Sequence, residues 1–196
     1  MSITVVIPTH PGRGRNLLDR AVASVWNQTL PAANLIISVD TQHQGAGATR
    51  QRGLEASQTE FTAFLDSDDE FLPDHLATLH EVISSDPDCI MAFSWFEAVG
   101  MQDPLGHFGL PFDPAHPYHT TVTTLVRTSV AKEVGGFPTQ FEGASPGCLN
   151  DDWIYELRMC EYAVKYNKKI IHVPKRTWRY YGHSNNSSGK PGQGDA

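Results

Sequence analysis

The chain has few cysteines and no paired-cysteine motif. Its 196 residues include three widely spaced cysteines, Cys89, Cys148 and Cys160, with neither CxxC nor Cys/His zinc spacing. An odd, scattered set argues against a disulfide scaffold and against a structural zinc site. We expect all three to be reduced and mostly buried, as in a cytosolic protein.

Long hydrophobic runs are also missing. The N-terminus reads MSITVVIPTH, which has no basic residues before its apolar run and too few apolar residues for a signal peptide. No stretch approaches the roughly 20 apolar residues that cross a bilayer. We therefore expect a cytoplasmic protein without a membrane span.

Positive charge is in short supply. Lys and Arg number 15 against 22 Asp and Glu, for a formal net charge of −7 at pH 7. Nucleic-acid binding is not indicated, because no overall basic field attracts a polyanion. The length fits a single domain with a substantial core.

What the chain does contain is a regular alternation of apolar strands and amphipathic helices. Continuous β-branched or apolar runs predict strands over 3–7, ended by Pro8, and over 35–39 and 61–65. Between them, helices are predicted over 16–29 and 48–57. This order indicates an α/β fold with a Rossmann-like, mostly parallel central sheet flanked by helices.

The second half is richer in loops, and no internal repeat or linker divides it from the first. Further strands are predicted over 89–96, 121–127 and 169–173, and further helices over 73–85, 128–134 and 151–166, with a loop-rich segment at 100–120.

An acidic turn follows the third predicted strand. The run FTAFLDSDDE places Asp66, Ser67, Asp68 and Asp69 at the end of that strand. Asp66 and Asp68, two residues apart, can point the same way. Their hard oxygen ligands suit Mn²⁺ or Mg²⁺ and, through the metal, a diphosphate. The alternative is a solvated acidic turn in which Asp68 or Asp69 caps the next helix.

Polar residues also follow the other strands and begin a late helix. His10, Asp40 and Asp66 fall at the carboxyl ends of three strands, where open α/β sheets bind ligands. Asp151 and Asp152 start the helix predicted over 151–166. A carboxylate there can act as a general base. The alternative is that both serve only the helix N-terminus and its dipole.

Four blocks, in order and at plausible spacing, resemble the family 2 glycosyltransferases of GT-A fold. They are VVIPTHPGRGRNLLDRAVASVWNQT, the stretch from LIISVD to FLDSDD, EVGGFPTQFEG with LNDDWIYELRM, and RYYGHSNNSS. The resemblance covers roughly residues 3–188. It implies one GT-A domain over 1–188, with a nucleotide-sugar donor half over about 1–99 and an acceptor and catalytic half over about 100–188. A flexible tail is expected at 189–196.

The resemblance implies an inverting, metal-dependent transfer from a nucleoside-diphosphate sugar to a hydroxyl-bearing acceptor. Asp40 would accept a hydrogen bond from the base, which favours a UDP- or dTDP-type donor, although the second acidic residue common in the family is Thr41 here. Asp66 would contact the ribose, and Arg50 the base or diphosphate. The implied donor-binding residues are Pro8, Thr9, His10, Asp40, Arg50, Asp66 and Ser67.

The same resemblance assigns the metal and the base. Asp68 would ligate Mn²⁺ or Mg²⁺, and His183 would be a further metal ligand or a diphosphate contact. Asp152 would be the catalytic base and Asp151 its supporting partner. These two residues could exchange roles, because the Glu of the family's Glu-Asp pair is replaced here.

Two other functions remain open from the sequence. One is a nucleotidyltransferase of related α/β fold, which the HPGRGR loop faintly suggests. The other is a non-catalytic module that binds a sugar nucleotide. A nucleotidyltransferase has no use for the NDDW and terminal histidine blocks, and a binding module has no need of Asp152.

Overall fold

The computed structural model describes residues 2–139 and 151–182. Cys148, His183 and the predicted tail at 189–196 lie outside them. The strands are β1 (Ile3–Thr9), β2 (Asn34–Val39), β3 (Phe61–Phe64), β4 (Glu70–Phe71), β5 (Cys89–Val99), β6 (Thr124–Arg127) and β7 (Lys169–Tyr181). The helices are α1 (Arg15–Trp26), α2 (Gly45–Ala56), α3 (His75–Ser85), α4 (Thr128–Glu133) and α5 (Asp151–Tyr166).

The described strands form one seven-stranded sheet in the order β2-β1-β3-β6-β5-β7-β4. Strands β1, β2, β3, β5 and β7 run in one direction. Strand β6 is antiparallel to β3 and β5, and β4 is antiparallel to β7. The predicted α/β fold with a mostly parallel sheet is confirmed. The carboxyl ends of β1, β2 and β3 therefore meet at one edge.

The core lies on both faces of β1 and β3, whose residues are all buried. Helix α2 covers β1 so closely that only glycine fits at position 53. A Cβ atom there would lie 2.2 Å from Cγ1 of Val6. This close packing fixes the last turn of α2 against the middle of β1.

Two polar side chains, one in α1 and one just after it, tie that helix to the segment after the acidic turn. The Ser24 hydroxyl accepts a hydrogen bond from the Phe71 amide (3.1 Å). The Gln28 amide group accepts from the Leu76 N–H (2.9 Å) and donates to the Leu72 carbonyl (2.7 Å). Because both side chains are buried, their role in the fold is to satisfy backbone groups.

Strands β1 and β7 are longer than predicted, because their hydrogen-bonded pairing continues beyond the apolar residues that predicted them. Strand β1 continues through Pro8 to Thr9, paired with β2, while its pairing with β3 ends at Val6. The missing amide hydrogen of Pro8 is tolerated there because one neighbouring strand has ended. Strand β7 continues to Tyr181 along β5, although 174–176 are exposed and polar, because shifts of register absorb that segment.

Cys89 and Cys160 are buried free thiols, as predicted. Within the described part of the chain, no helix combines the length and apolar character needed to cross a membrane.

Candidate functional site

Asp40 follows β2 and lies in the loop before α2. Its carboxylate accepts hydrogen bonds from the backbone N–H groups of Gln44 (3.0 Å) and Gly45 (2.8 Å). These amide donors lower the pKa of Asp40, with a smaller contribution from Arg52. The helix was predicted to start at residue 48 but starts at Gly45, because this carboxylate satisfies its first amides.

Arg50 lies one turn along α2 and is 7% exposed. Its Nη2 atom donates to Oδ1 of Asp66 at 2.6 Å. Burial opposes the charge of Arg50, but Asp66, Asp152 and Asp151 together outweigh it and raise its pKa. The arginine is therefore a permanent cation between the end of β3 and the start of α5.

Asp151 connects α5 to α2. Its Oδ2 atom accepts from the Gly47 N–H at 2.9 Å. A Cβ atom at position 47 would lie 2.7 Å from Cβ and Cγ of Asp151, so only glycine allows this approach. Asp151 is thus engaged by the first turn of α2.

Asp152 is half-buried beside it. Burial raises the pKa of Asp152, and Arg50 and His119 oppose that increase. Its Oδ1 atom accepts from the N–H of Trp153 (2.9 Å). A carboxylate made more basic by burial, yet held near two cation-capable groups, is suited to accept a proton.

The acidic turn is not the cap of a helix. Asp69 is 2% exposed and accepts a hydrogen bond from the Tyr181 N–H at 3.1 Å, whereas α3 starts only at His75. The alternative interpretation of Asp68 or Asp69 as an N-cap is therefore wrong. Burial, with the charges of Asp66 and Asp68, raises the pKa of Asp69 well above its usual value.

The loop after β1 lies over this turn. Arg13 forms an ion pair with Asp68, with 2.8 Å between Nη1 and Oδ2. Arg20 donates to the backbone carbonyl of Asp68 and stacks over the Tyr181 ring, 3.6 Å from its centroid. Within residues 2–139 and 151–182, no three His, Cys, Asp or Glu side chains are grouped to hold a metal ion. His183 lies outside these ranges.

The remaining donor-side candidates fall at the strand ends. Pro8 and Thr9 are buried at the end of β1, and the Thr9 hydroxyl oxygen has no hydrogen-bond partner. Ser67 is buried within the acidic turn. His10 is exposed, and its Nδ1 atom accepts from the Gly12 N–H at 3.2 Å.

The Gly-Gly-Phe block forms a junction between helices. Gly135 and Gly136 have φ values of +87° and +59°. The Arg158 guanidinium donates to the Gly136 carbonyl (2.9 Å), and the Gln51 side chain accepts from the Phe137 N–H (2.9 Å). Phe137 then stacks on Tyr155, with 4.1 Å between ring centroids. In the described residues this block joins α2, α4 and α5.

Some residues at the site were not found from the sequence. Arg13 lies in the loop after β1 and Gly47 in the first turn of α2, but their partners Asp68 and Asp151 are distant in the chain. His119 and Glu156 carried no local signal, because the packing of 119–120 on α5 brings them to the site.

Residues 34–104 match the model of glycosyl transferase family 2. The chain is 29% identical over 136 residues to the succinoglycan biosynthesis protein ExoW of Rhizobium meliloti, covering 55% of this chain and 41% of that protein. It is 36% identical over 53 residues to the putative glycosyltransferase EpsH of Bacillus subtilis, covering 27% and 15%. The chain therefore spans less than half of either relative.

Among solved structures, S. aureus TarS 1–349 in complex with UDP-GlcNAc is similar, with a TM-score of 0.75 and 18% identity over 97% of this chain and 62% of that one. The same protein in complex with UDP has a TM-score of 0.72 and 17% identity, over 93% and 61%. This likeness shows a shared GT-A fold.

Proposed function

Because residues 34–104 match the model of glycosyl transferase family 2, we propose that this chain is a member of that family and transfers a sugar from a nucleoside-diphosphate sugar to an acceptor hydroxyl. The donor is of UDP or dTDP type, and the transfer inverts the anomeric carbon in one displacement. The observation that carries the proposal is the position of Arg50, which binds Asp66 and lies close enough to Asp152 to affect its pKa.

The donor nucleotide is assigned to the edge formed by β1, β2 and β3. Asp40 stays ionised because two backbone amides bind it, and its remaining lone pairs suit a base N–H. The buried Thr9 hydroxyl lacks a partner and is available to the nucleotide. A protein of the same fold holds UDP-GlcNAc, which supports a UDP-type donor.

A divalent cation, Mn²⁺ or Mg²⁺, fits the acidic turn. Asp66 and Asp68 both raise the pKa of buried Asp69, so negative charge is crowded there and a cation would relieve it. Asp68 would hold the ion together with His183, donor phosphate oxygens and water completing the ligands. When bound, the ion supplies charge neutralisation for the departing nucleoside diphosphate.

Asp152 is the catalytic base in this proposal. Its carboxylate takes the proton of the acceptor hydroxyl, the hydroxyl oxygen bonds to the anomeric carbon, and the bond to the diphosphate breaks. Asp151 keeps the start of α5 in place through Gly47. Arg50 keeps Asp152 ionised before the proton arrives.

The test is a panel of sugar nucleotides incubated with the protein and Mn²⁺ or Mg²⁺, with and without candidate glycan, lipid and small-molecule acceptors. We expect nucleoside-diphosphate release from one donor. Asp152→Asn should lower it by about 100-fold or more, the scale of a lost general base. Asp19→Asn, at an exposed position of α1, is the matched control. Pyrophosphate release from a nucleoside triphosphate would instead identify a nucleotidyltransferase.

A further inference from the structure

A second buried acid lies one turn beyond Asp152 on α5. Glu156 is 4% exposed, and its i, i+4 spacing places both carboxyl groups on the same face of the helix. The proposed transfer uses Asp152 and assigns no role to Glu156. A buried carboxyl group near a catalytic base can nevertheless change the pKa of that base. It does so through its own charge or by fixing the position of a neighbouring group.

Glu156 contacts the backbone of a distant segment. Its Oε2 atom accepts from the Thr120 N–H at 3.2 Å, whereas Oε1 is buried and has no hydrogen-bond partner. No described lysine, arginine or histidine forms an ion pair with it. Burial raises the pKa of Glu156 to about 8, so the side chain is uncharged at neutral pH. It therefore acts on its surroundings through the hydrogen bond.

That hydrogen bond fixes the position of His119. The imidazole ring lies edge-on to Trp153, with 5.2 Å between ring centroids and 89° between the planes. The His119 carbonyl is 3.3 Å from Nδ1 of His107, which donates in the matching tautomer. His119 and Asp152 affect each other: Asp152 opposes the burial that lowers the pKa of His119, and His119 opposes the burial that raises that of Asp152.

We propose that Glu156 is a positioning residue for the catalytic base: by tethering Thr120 to α5, it holds the His119 imidazole beside Asp152. The assignment of Asp152 as base rests on the proposed function, whereas the tether itself is a property of the ligand-free chain. With His119 in place, the ionised form of Asp152 is favoured and the residue is ready to accept a proton.

The titratable groups around this assembly come from four parts of the chain. Each of them changes the pKa of Glu156, His119 or Asp152, or has its own pKa changed by one of these three. They are Arg50 of α2, Asp66 after β3, His107 and Tyr118 of the segment before β6, and Cys160 of α5. Asp68, a proposed metal ligand, is not among these described groups.

The direct test is an NMR titration of the His119 imidazole in the full ligand-free chain, with the resonance assigned by its loss in His119→Gln. Glu156→Asp is one methylene shorter and breaks the tether. We expect it to raise the pKa of His119 by about 0.5 pH unit or more, because the ring loses burial. Glu156→Gln keeps an oxygen acceptor for Thr120 and should leave this pKa unchanged. Asp152→Asn should lower it.

Two controls accompany the titration. Glu161→Asp changes an exposed acid of the same helix, and His116 is an exposed histidine paired with Asp113. The same His119 pKa in Glu156→Asp as in the unmodified chain would overturn the tether, as would equal movement of His116 and His119. If Glu156→Asp does not fold, Asp152→Asn still tests the proposal. An unchanged His119 pKa in that variant would show that His119 does not lie beside Asp152.

A kinetic arm links the tether to the reaction. Glu156→Asp should move the acidic limb of the pH profile of kcat/KM to higher pH, and adding His119→Gln should move it no further. A uniform loss of rate without that movement, or additive effects, would contradict the role of Glu156. If the unmodified chain releases no nucleoside diphosphate, the proposed function is contradicted. The NMR titration then tests the Glu156–Thr120 tether by itself.

Discussion

The amide of Gly47 donates to Asp151 at 2.9 Å, and this contact brings α2 and α5 together although the two residues lie 104 positions apart. One helix holds Arg50 and the other Asp152, so the contact sets the separation between a cation of the donor side and the proposed base.

Gly47→Ala tests this junction. The new methyl group would lie 2.7 Å from Asp151 Cβ, so the helices must separate. We expect a loss of about 1–3 kcal/mol in the free energy of unfolding, measured by denaturant titration, despite the better helix propensity of Ala. In the Asp151→Gly background, which lacks both the Cβ atom and the carboxyl group that the new methyl group would meet, the same change should cost less. Equal costs in both backgrounds would show that the contact is unimportant.

Arg50→Gln removes the cation between the carboxylates. Arg50 is the strongest influence lowering the pKa of Asp152, so that pKa should rise and the acidic limb of kcat/KM should move to higher pH. Asp66, whose side chain is 32% exposed, would also lose its ion pair with Arg50, which should cost about 1 kcal/mol of stability. Arg52→Gln, at a more exposed position of the same helix, is the control. If the acidic limb of kcat/KM does not move in Arg50→Gln, Arg50 does not affect the pKa of the base.

Asp68→Ala tests the metal site. If Asp68 holds the cation, calorimetry should show Mn²⁺-dependent binding of UDP weakened by at least about 10-fold, while metal-free binding changes little. Asp19→Asn should behave as the unmodified chain. If Asp68→Ala and the unmodified chain bind UDP equally well in the presence of Mn²⁺, Asp68 does not bind the metal.

Glu156 should make stability depend on pH. Its pKa is about 8 in the folded chain against an ordinary value of 4.5. Between these values the unfolded chain has lost the proton while the folded chain keeps it. The free energy of unfolding therefore falls as pH rises through this window, by up to about 5 kcal/mol. Below pH 4.5 both states are protonated and the contribution is complete.

Glu156→Gln has no such proton. Its stability relative to the unmodified chain should therefore increase from pH 5 to pH 8, as measured by denaturant titration at both pH values. Glu161→Gln, exposed on the same helix, should show no such trend. A difference between Glu156→Gln and the unmodified chain that is constant with pH would mean that Glu156 is ionised in the folded protein.

Much of the fold could be read from local pattern. The buried runs of β1 and β3 predicted strands, and α5 was predicted with its observed bounds, Asp151–Tyr166. Strand β4, with two residues, and the second half of β7, which begins with the exposed residues 174–176, carry no such pattern. The second half of β7 exists because it pairs with β5, and β4 exists because it pairs with that part of β7.

The sequence by itself determined which carboxylates follow strands and begin helices, since apolar runs and their ends are local features. Asp40, Asp66 and Asp152 could be named from it. Only the tertiary structure decided what those carboxylates contact: Asp40 binds the start of α2, Asp66 binds Arg50, and Thr120 is tethered to Glu156 beside Asp152. The physical reason is that burial and charge pairing depend on the packing of segments far apart in the chain, which periodicity does not report.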